Sequence, residues 1–293
     1  MTTAPDRLLL RLEWRVLRRV DGRIQGGYRT PYRGWGTDFA GLREYVETDD
    51  ARHIDWNATA RLNAPQVRQF VEDRDLTVWL VLDRSASMAT GAPGRGKHDV
   101  LSELALILAR LFGRGGNRVG AILHDGATAR IVPPGAGRAH ALRIGHELDR
   151  ASAPVSSITD FAAMLDATAT MARRRSLIIV VSDFIGTGEW DKQLLRLVHR
   201  HEVVALRVLD ASDDELPDAG LIIVEDAETG EQLIVDSSDP LFRVRYRAGV
   251  DERDAVLNET MRRAKVPLHR VDTDRDLVET LVQVVASTHW RRT

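Results

Sequence analysis

The run Leu76-Thr-Val-Trp-Leu-Val-Leu82 continues without polar alternation until Asp83 ends it. Strands with one solvated face alternate, so an unbroken aliphatic and β-branched run implies a strand buried on both faces, as in a parallel sheet covered by helices. A second such run, Leu177-Ile-Ile-Val-Val-Ser-Asp183, also ends in a carboxylate, and Glu202-Val-Val-Ala-Leu-Arg-Val-Leu209 supplies a third. Helical spacing fills the intervals. A helix is predicted over Lys97–Gly113, a strand over 118–123 with a hairpin partner from Ala127 to Pro133, and helices near 138–151, 159–173 and 189–200. A β-hairpin over 220–236 turns at Ala227-Glu-Thr-Gly230, then a helix near 250–265, a strand His269-Arg-Val-Asp272 and a last helix near 275–288 follow. The alternation predicts an α/β fold with a doubly wound, mostly parallel sheet flanked by helices.

The carboxyl ends of such strands meet in one crevice, so residues far apart in sequence converge there. Asp83-Arg84-Ser85-Ala86-Ser87-Met88 places one carboxylate and two hydroxyls at alternate positions of a tight loop, a set of hard oxygens suited to Mg²⁺. A capped strand-to-helix turn would use the same residues, because Asp and Ser accept backbone N–H bonds. The Asp-x-Ser-x-Ser pattern resembles the first segment of the metal-ion-dependent adhesion site of von Willebrand factor A domains. That resemblance implies a Mg²⁺ site, or one for Mn²⁺ or Ca²⁺, with Asp83, Ser85 and Ser87 in the first segment. It further implies Thr159 in the second segment and Asp183 in the third, acting through water. Two departures stand out: Ser157-Ile158 in the second loop and Phe184 after the third acid, both where glycines are common in those domains.

Composition narrows the partners. Of 293 residues 29% are charged, yet the formal net charge is only −2, so nothing draws the whole chain to nucleic acid or anionic lipid. The absence of cysteine excludes disulfides, thiolate metal sites and a cysteine nucleophile. No apolar stretch approaches the ~20 residues of a bilayer span. A soluble cytoplasmic protein is expected.

Residues 5–20 have the spacing of an amphipathic helix, and 1–33 hold eight Arg against three acids. A solvated face or a docking patch for an acidic partner would explain that charge. Further on, Phe39, Leu42-Arg43-Glu44-Tyr45, Asp49-Asp50-Ala51-Arg52-His53-Ile54-Asp55-Trp56 and Ala60-Arg61 directly precede the Asp-x-Ser-x-Ser strand. The combination is similar to the family called domain of unknown function fifty-eight, over about residues 28 to 190. Such proteins join this block to a von Willebrand A domain and are commonly encoded beside MoxR-type AAA+ ATPases. The resemblance implies an extension, 1–75, packed on a von Willebrand A-like domain, 76–293. Physically, so dense a mixture of Asp, Arg and Trp predicts a hydrogen-bonded charge lattice around a partly buried Trp56. Asp55 and His53 form a candidate acid/base pair, but no activated nucleophile stands in the block.

Gly91-Ala-Pro-Gly-Arg-Gly-Lys97-His98 nearly spells a phosphate-binding loop. Against it, His98 stands where Ser or Thr should hold the ion, and about eight residues separate the strand end from the glycines. A flexible surface loop is the plainer explanation. Asp83 lacks the second acid two residues on that aspartyl-phosphate enzymes use, and Ser85 and Ser87 lack a nucleophile elbow. His124-Asp125 reads as a turn. The expectation is a binding module and not an enzyme: an adaptor or co-chaperone of a MoxR-type ATPase, whose client offers an acidic residue to the metal. A Mg²⁺-dependent nucleotide or phosphate hydrolase built on 91–98 is the alternative.

Overall fold

A computed structural model describes residues 33–281, apart from 47–49, 63, 72–76, 92–93, 115–116, 127, 151–158, 187, 228 and 278. The helix expected over 5–20, the Ser156-Ser157 loop and most of the expected helix 275–288 lie outside the described residues. The described residues fall into two compact units, 33–71 and 77–281.

In the smaller unit, β1 (Arg33–Glu44) pairs antiparallel with β2 (Gln66–Val71). A 3₁₀ turn, Ala51–His53, and α1 (Trp56–Leu62) lie between them. Two acids of the charged block act locally. Asp50 accepts the Arg52 N–H at 2.9 Å, and Asp55 Oδ1 accepts the N–H groups of Asn57 and Ala58 at 3.0 Å, satisfying donors that a helix start leaves open. The expected burial of the ring is not met: Trp56, at the first position of α1, is 70% exposed. Charge density predicted a lattice enclosing the ring, but the ring itself is left uncovered. Trp56→Ala should therefore change stability by less than about 0.5 kcal/mol in denaturant unfolding. A loss several times larger would mean that the ring is covered in solution.

The larger unit is the α/β body. Its strands are β3 (Thr77–Asp83), β4 (Arg118–His124), β5 (Ala129–Gly135), β6 (Leu177–Ser182), β7 (Glu202–Leu209) and, after the hairpin β8 (Leu221–Glu225) and β9 (Gln232–Asp236), β10 (Leu268–Asp272). The six-stranded sheet runs β10-β7-β6-β3-β4-β5, parallel except for β5 against β4. Its helices are α2 (Lys97–Arg114), α3 (Gly137–Arg150), α4 (Phe161–Met171), α5 (Asp191–Arg200), the single turn α6 (Ala211–Asp214) and α7 (Pro240–Ala264). Val78, Leu80, Val81, Leu82, Ile178 and Val181 are wholly buried, as two-faced coverage requires, and each contributes roughly 1.5–3 kcal/mol by leaving water. Mixed α/β architecture with a mostly parallel sheet is thus as expected. No helix among the described residues is long and apolar enough to cross a membrane.

One helix is much longer than its sequence pattern predicted: α7 begins at Pro240, not near 250. Asp239 accepts the Leu241 N–H and Pro240 occupies the first turn, where its missing N–H costs nothing.

Candidate metal centre

From β3 the chain steps to β4 on one side, then returns to place β6 on the other. The switch point of the sheet is therefore the crevice beyond the carboxyl ends of β3 and β6, where Asp83 and Asp183 lie. Both are fully buried, as is Thr159, while Ser85 and Ser87 are 1% and 5% exposed.

Hydrogen bonds tie the first and third segments together. The Ser85 N–H donates to Asp83 Oδ1 at 2.9 Å, and the Ser85 and Ser87 hydroxyls are 3.1 Å apart. Ser182, the last residue of β6, donates its hydroxyl to Asp83 Oδ2 at 2.5 Å and accepts the Phe184 N–H at 2.8 Å. Asp183 Oδ1 accepts the Ile185 N–H at 3.0 Å, and the Asp183 carbonyl accepts a bond from Arg207 of β7. The second segment is near in backbone terms. A Cβ placed on Gly186 would stand 3.2 Å from the Thr159 carbonyl oxygen, so Thr159 abuts the loop that carries Asp183. Asp160, next in chain, caps α4 by accepting the Ala163 N–H.

Phe184 shows why that loop holds its shape. Its φ is +58°, the left-handed region where glycine is favoured, at the position already conspicuous for lacking one. Such a backbone costs a side-chain-bearing residue roughly 1–2 kcal/mol. The ring stacks on Phe161 at 5.8 Å and 4°, and Trp190 closes the trio at 5.8 Å from Phe161 and 6.3 Å from Phe184. Aromatic contacts of this kind are worth roughly 0.5–1.5 kcal/mol each beyond burial, enough to offset the strain.

Electrostatics distinguish the two acids. Burial, and then the neighbouring Asp183 charge, push the Asp83 carboxyl up to about 6 despite the bonds from Ser182 and Ser85. Asp183 has a counter-ion: Lys97 Nζ stands 2.9 Å from Asp183 Oδ2 and 3.1 Å from Asp213 Oδ1. Burial alone would lower the pKa of the Lys97 ammonium, but the Asp183 and Asp213 charges hold it above the ordinary lysine range. The near phosphate-binding loop is exposed at Gly91 and Gly94, and the helix that follows it opens with a wholly buried lysine, Lys97. Sequence reasoning missed Lys97, Asp213 and Ser182 as parts of this centre. Only Ser182 carried a local signal, a hydroxyl beside a strand-end acid.

Two carboxylates with several hydroxyls form a hard, anionic donor set that fits Mg²⁺ or Mn²⁺. Among the described residues no group of three or more His, Asp or Glu is placed to hold a metal ion by itself, so a softer nitrogen-rich site has no candidate there. His124 is buried with its Nδ1 accepting the Gly126 N–H, and Asp125 binds Thr128 through N–H and hydroxyl, which makes that pair the expected turn.

A family model described as "Protein of unknown function DUF58" matches residues 41–256. The chain is 37% identical over 279 residues to the uncharacterized protein Mb1516 of Mycobacterium bovis and, equally, to Rv1480 of Mycobacterium tuberculosis, covering 94% of this chain and 87% of each relative. Among solved structures, it is similar to BatB from Bacteroides thetaiotaomicron at 17% identity and a TM-score of 0.45, over 73% of this chain and all of that one. An aerotolerance-related membrane protein from Bacteroides fragilis matches at 16% and 0.48, over the same shares.

Proposed function

The chain belongs to the DUF58 family, and we propose that within it this protein is a metal-dependent protein-binding module. The observation that carries the reading is the pair of fully buried carboxylates, Asp83 and Asp183, set among buried hydroxyls at the switch point of the sheet. Asp83, Ser85, Ser87 and Thr159 would hold the ion directly, and Asp183 through water. A bound divalent ion would supply one open coordination position for a carboxylate of another protein.

The chain's own residues do the rest. Ser182 orients Asp83, the Phe161-Phe184-Trp190 trio fixes the Asp183 loop, and burial keeps bulk water from competing for the donors. The same arrangement argues for binding over catalysis, since the Ser85 hydroxyl faces Ser87 and not an imidazole. The hydrolase alternative is weakened as well, because the cation it needs for phosphate is engaged by Asp183 and Asp213. On the resemblance of the Asp49–Arg61 block, the partner is a MoxR-type AAA+ ATPase, with this chain as adaptor toward a client bearing an exposed acid.

The test is capture of a MoxR-type ATPase by this protein, with Mg²⁺ and with EDTA, alongside calorimetric titration with Mn²⁺. Retention in Mg²⁺ and release by EDTA are expected. Capture indifferent to EDTA, or no heat with Mn²⁺ at millimolar concentration, would remove the metal from the interface.

A further inference from the structure

Lys97 takes no part in holding a metal, yet it is the one ammonium inside the centre as described. It opens α2, is 1% exposed, and reaches two carboxylates that lie 86 and 116 positions away in the chain. One of them, Asp183, belongs to the metal reading. The other, Asp213, does not, and it is held from behind: its Oδ2 accepts the Asp210 N–H at 2.8 Å in a capping box that starts α6. Asp210 is anchored in turn by Ser212 at 2.8 Å and by the Thr273 hydroxyl at 2.8 Å. Asp213 is therefore not free to follow the ammonium, and Lys97 is shared between two fixed anions.

Resting on the metal-site reading, we propose that Lys97 is a tethered counter-cation that sets the divalent-metal affinity of the centre, with Asp213 holding it partly away from Asp183. By formal charge, Asp83, Asp183 and Asp213 against the Lys97 ammonium sum to −2, which one divalent ion neutralises. Without Lys97 the same groups would carry −3, and the centre would hold metal tightly whether or not a partner is present. Loss of the Asp213 charge would leave −1 and give the ammonium wholly to Asp183. Affinity in the wild type is thus held to a level at which a partner's carboxylate adds decisively to retention of the ion. Lys97 and Asp213 are positioning residues, since neither is among the groups that would hold the ion.

The experiment titrates Mn²⁺ alone into the wild-type protein, Lys97→Met, Asp213→Asn and the double variant, at about pH 7.5. A unit charge close to a divalent ion changes its affinity by ~10-fold or more even with water-like screening. Lys97→Met should bind at least ~10-fold tighter and Asp213→Asn ~10-fold weaker, with the double variant near wild type. A purely structural ion pair would make every variant less stable and move no affinity in opposite directions. Equal or weaker binding by a folded Lys97→Met overturns the proposal while leaving the metal reading intact. If that variant does not fold, the double variant decides: ~10-fold tighter binding than Asp213→Asn supports the proposal, and equal binding overturns it. Absence of Mn²⁺ binding by wild type and all variants overturns the metal reading, and this inference with it.

Discussion

Asp83→Asn should stabilise the metal-free protein by about 3 kcal/mol more at about pH 7.5 than near pH 4. The cause is the wholly buried Asp83 carboxyl, pushed from 3.8 to about 6 by burial and by Asp183. Its folded-state pKa is raised, so its contribution is fully present below about 4, where folded and unfolded chains are both protonated. Between about 4 and 6 the unfolded chain releases its proton first, and stability falls until the folded-state pKa is passed. Asn preserves an acceptor for the Ser85 N–H but turns an amide N–H to the Ser182 hydroxyl, which loses the acceptor of its own proton. That cost is independent of pH, so the pH dependence of the difference reports the charge. Buried His124 and His201 titrate in the opposite sense, because burial lowers their pKa values and favours folding at higher pH. The quantity to measure is therefore the difference in unfolding free energy between variant and wild type across pH. The same substitution should weaken Mn²⁺ binding ~100-fold or more, since a formal charge leaves the donor set. A pH-independent difference would mean that Asp83 is not ionising in the buried site.

Phe161→Ala should cost about 3–5 kcal/mol, the range for truncating a buried aromatic side chain. Phe161 is 2% exposed and touches both Phe184 and Trp190. A Cβ on Gly186 would stand 2.7 Å from its ring, so the ring also fills the space beneath the Asp183 loop. Its removal takes away the stacking that offsets the left-handed backbone of Phe184. Thermal unfolding and Mn²⁺ affinity should therefore fall together, although Phe161 offers the ion no donor. A stability loss below about 1 kcal/mol, with metal binding unchanged, would show that the loop holds its conformation without the trio.

The α/β body was legible because its signals are local and strong. The runs 76–82, 177–182 and 202–209 are apolar on both faces, and only a covered parallel sheet accommodates that. The acids that end the first two, Asp83 and Asp183, marked the crevice. The first half of α7 was not legible, because Leu241-Phe-Arg-Val-Arg-Tyr-Arg247 alternates apolar and Arg residues with the period of a strand. Leu241 and Val244 are in fact 68% and 66% exposed, so no apolar stripe announces the helix there. Asp239-Pro240 was the available sign.

Trp56 misled in the other direction. Ring chemistry and neighbouring charges describe what a residue is able to bury, but exposure depends on what packs over it.

The sequence by itself determined which strands are buried, where they end, and which oxygens stand at those ends, because each follows from consecutive residues and the two-residue period of a strand. Only the tertiary structure decided that Ser182 bridges to Asp83, that Phe184 takes a glycine-like φ under a stacked ring, and that Lys97 sits between Asp183 and Asp213. These are meetings across tens of residues. Their energies come from burial and Coulomb attraction at distances set by sheet order, and no local pattern encodes those distances.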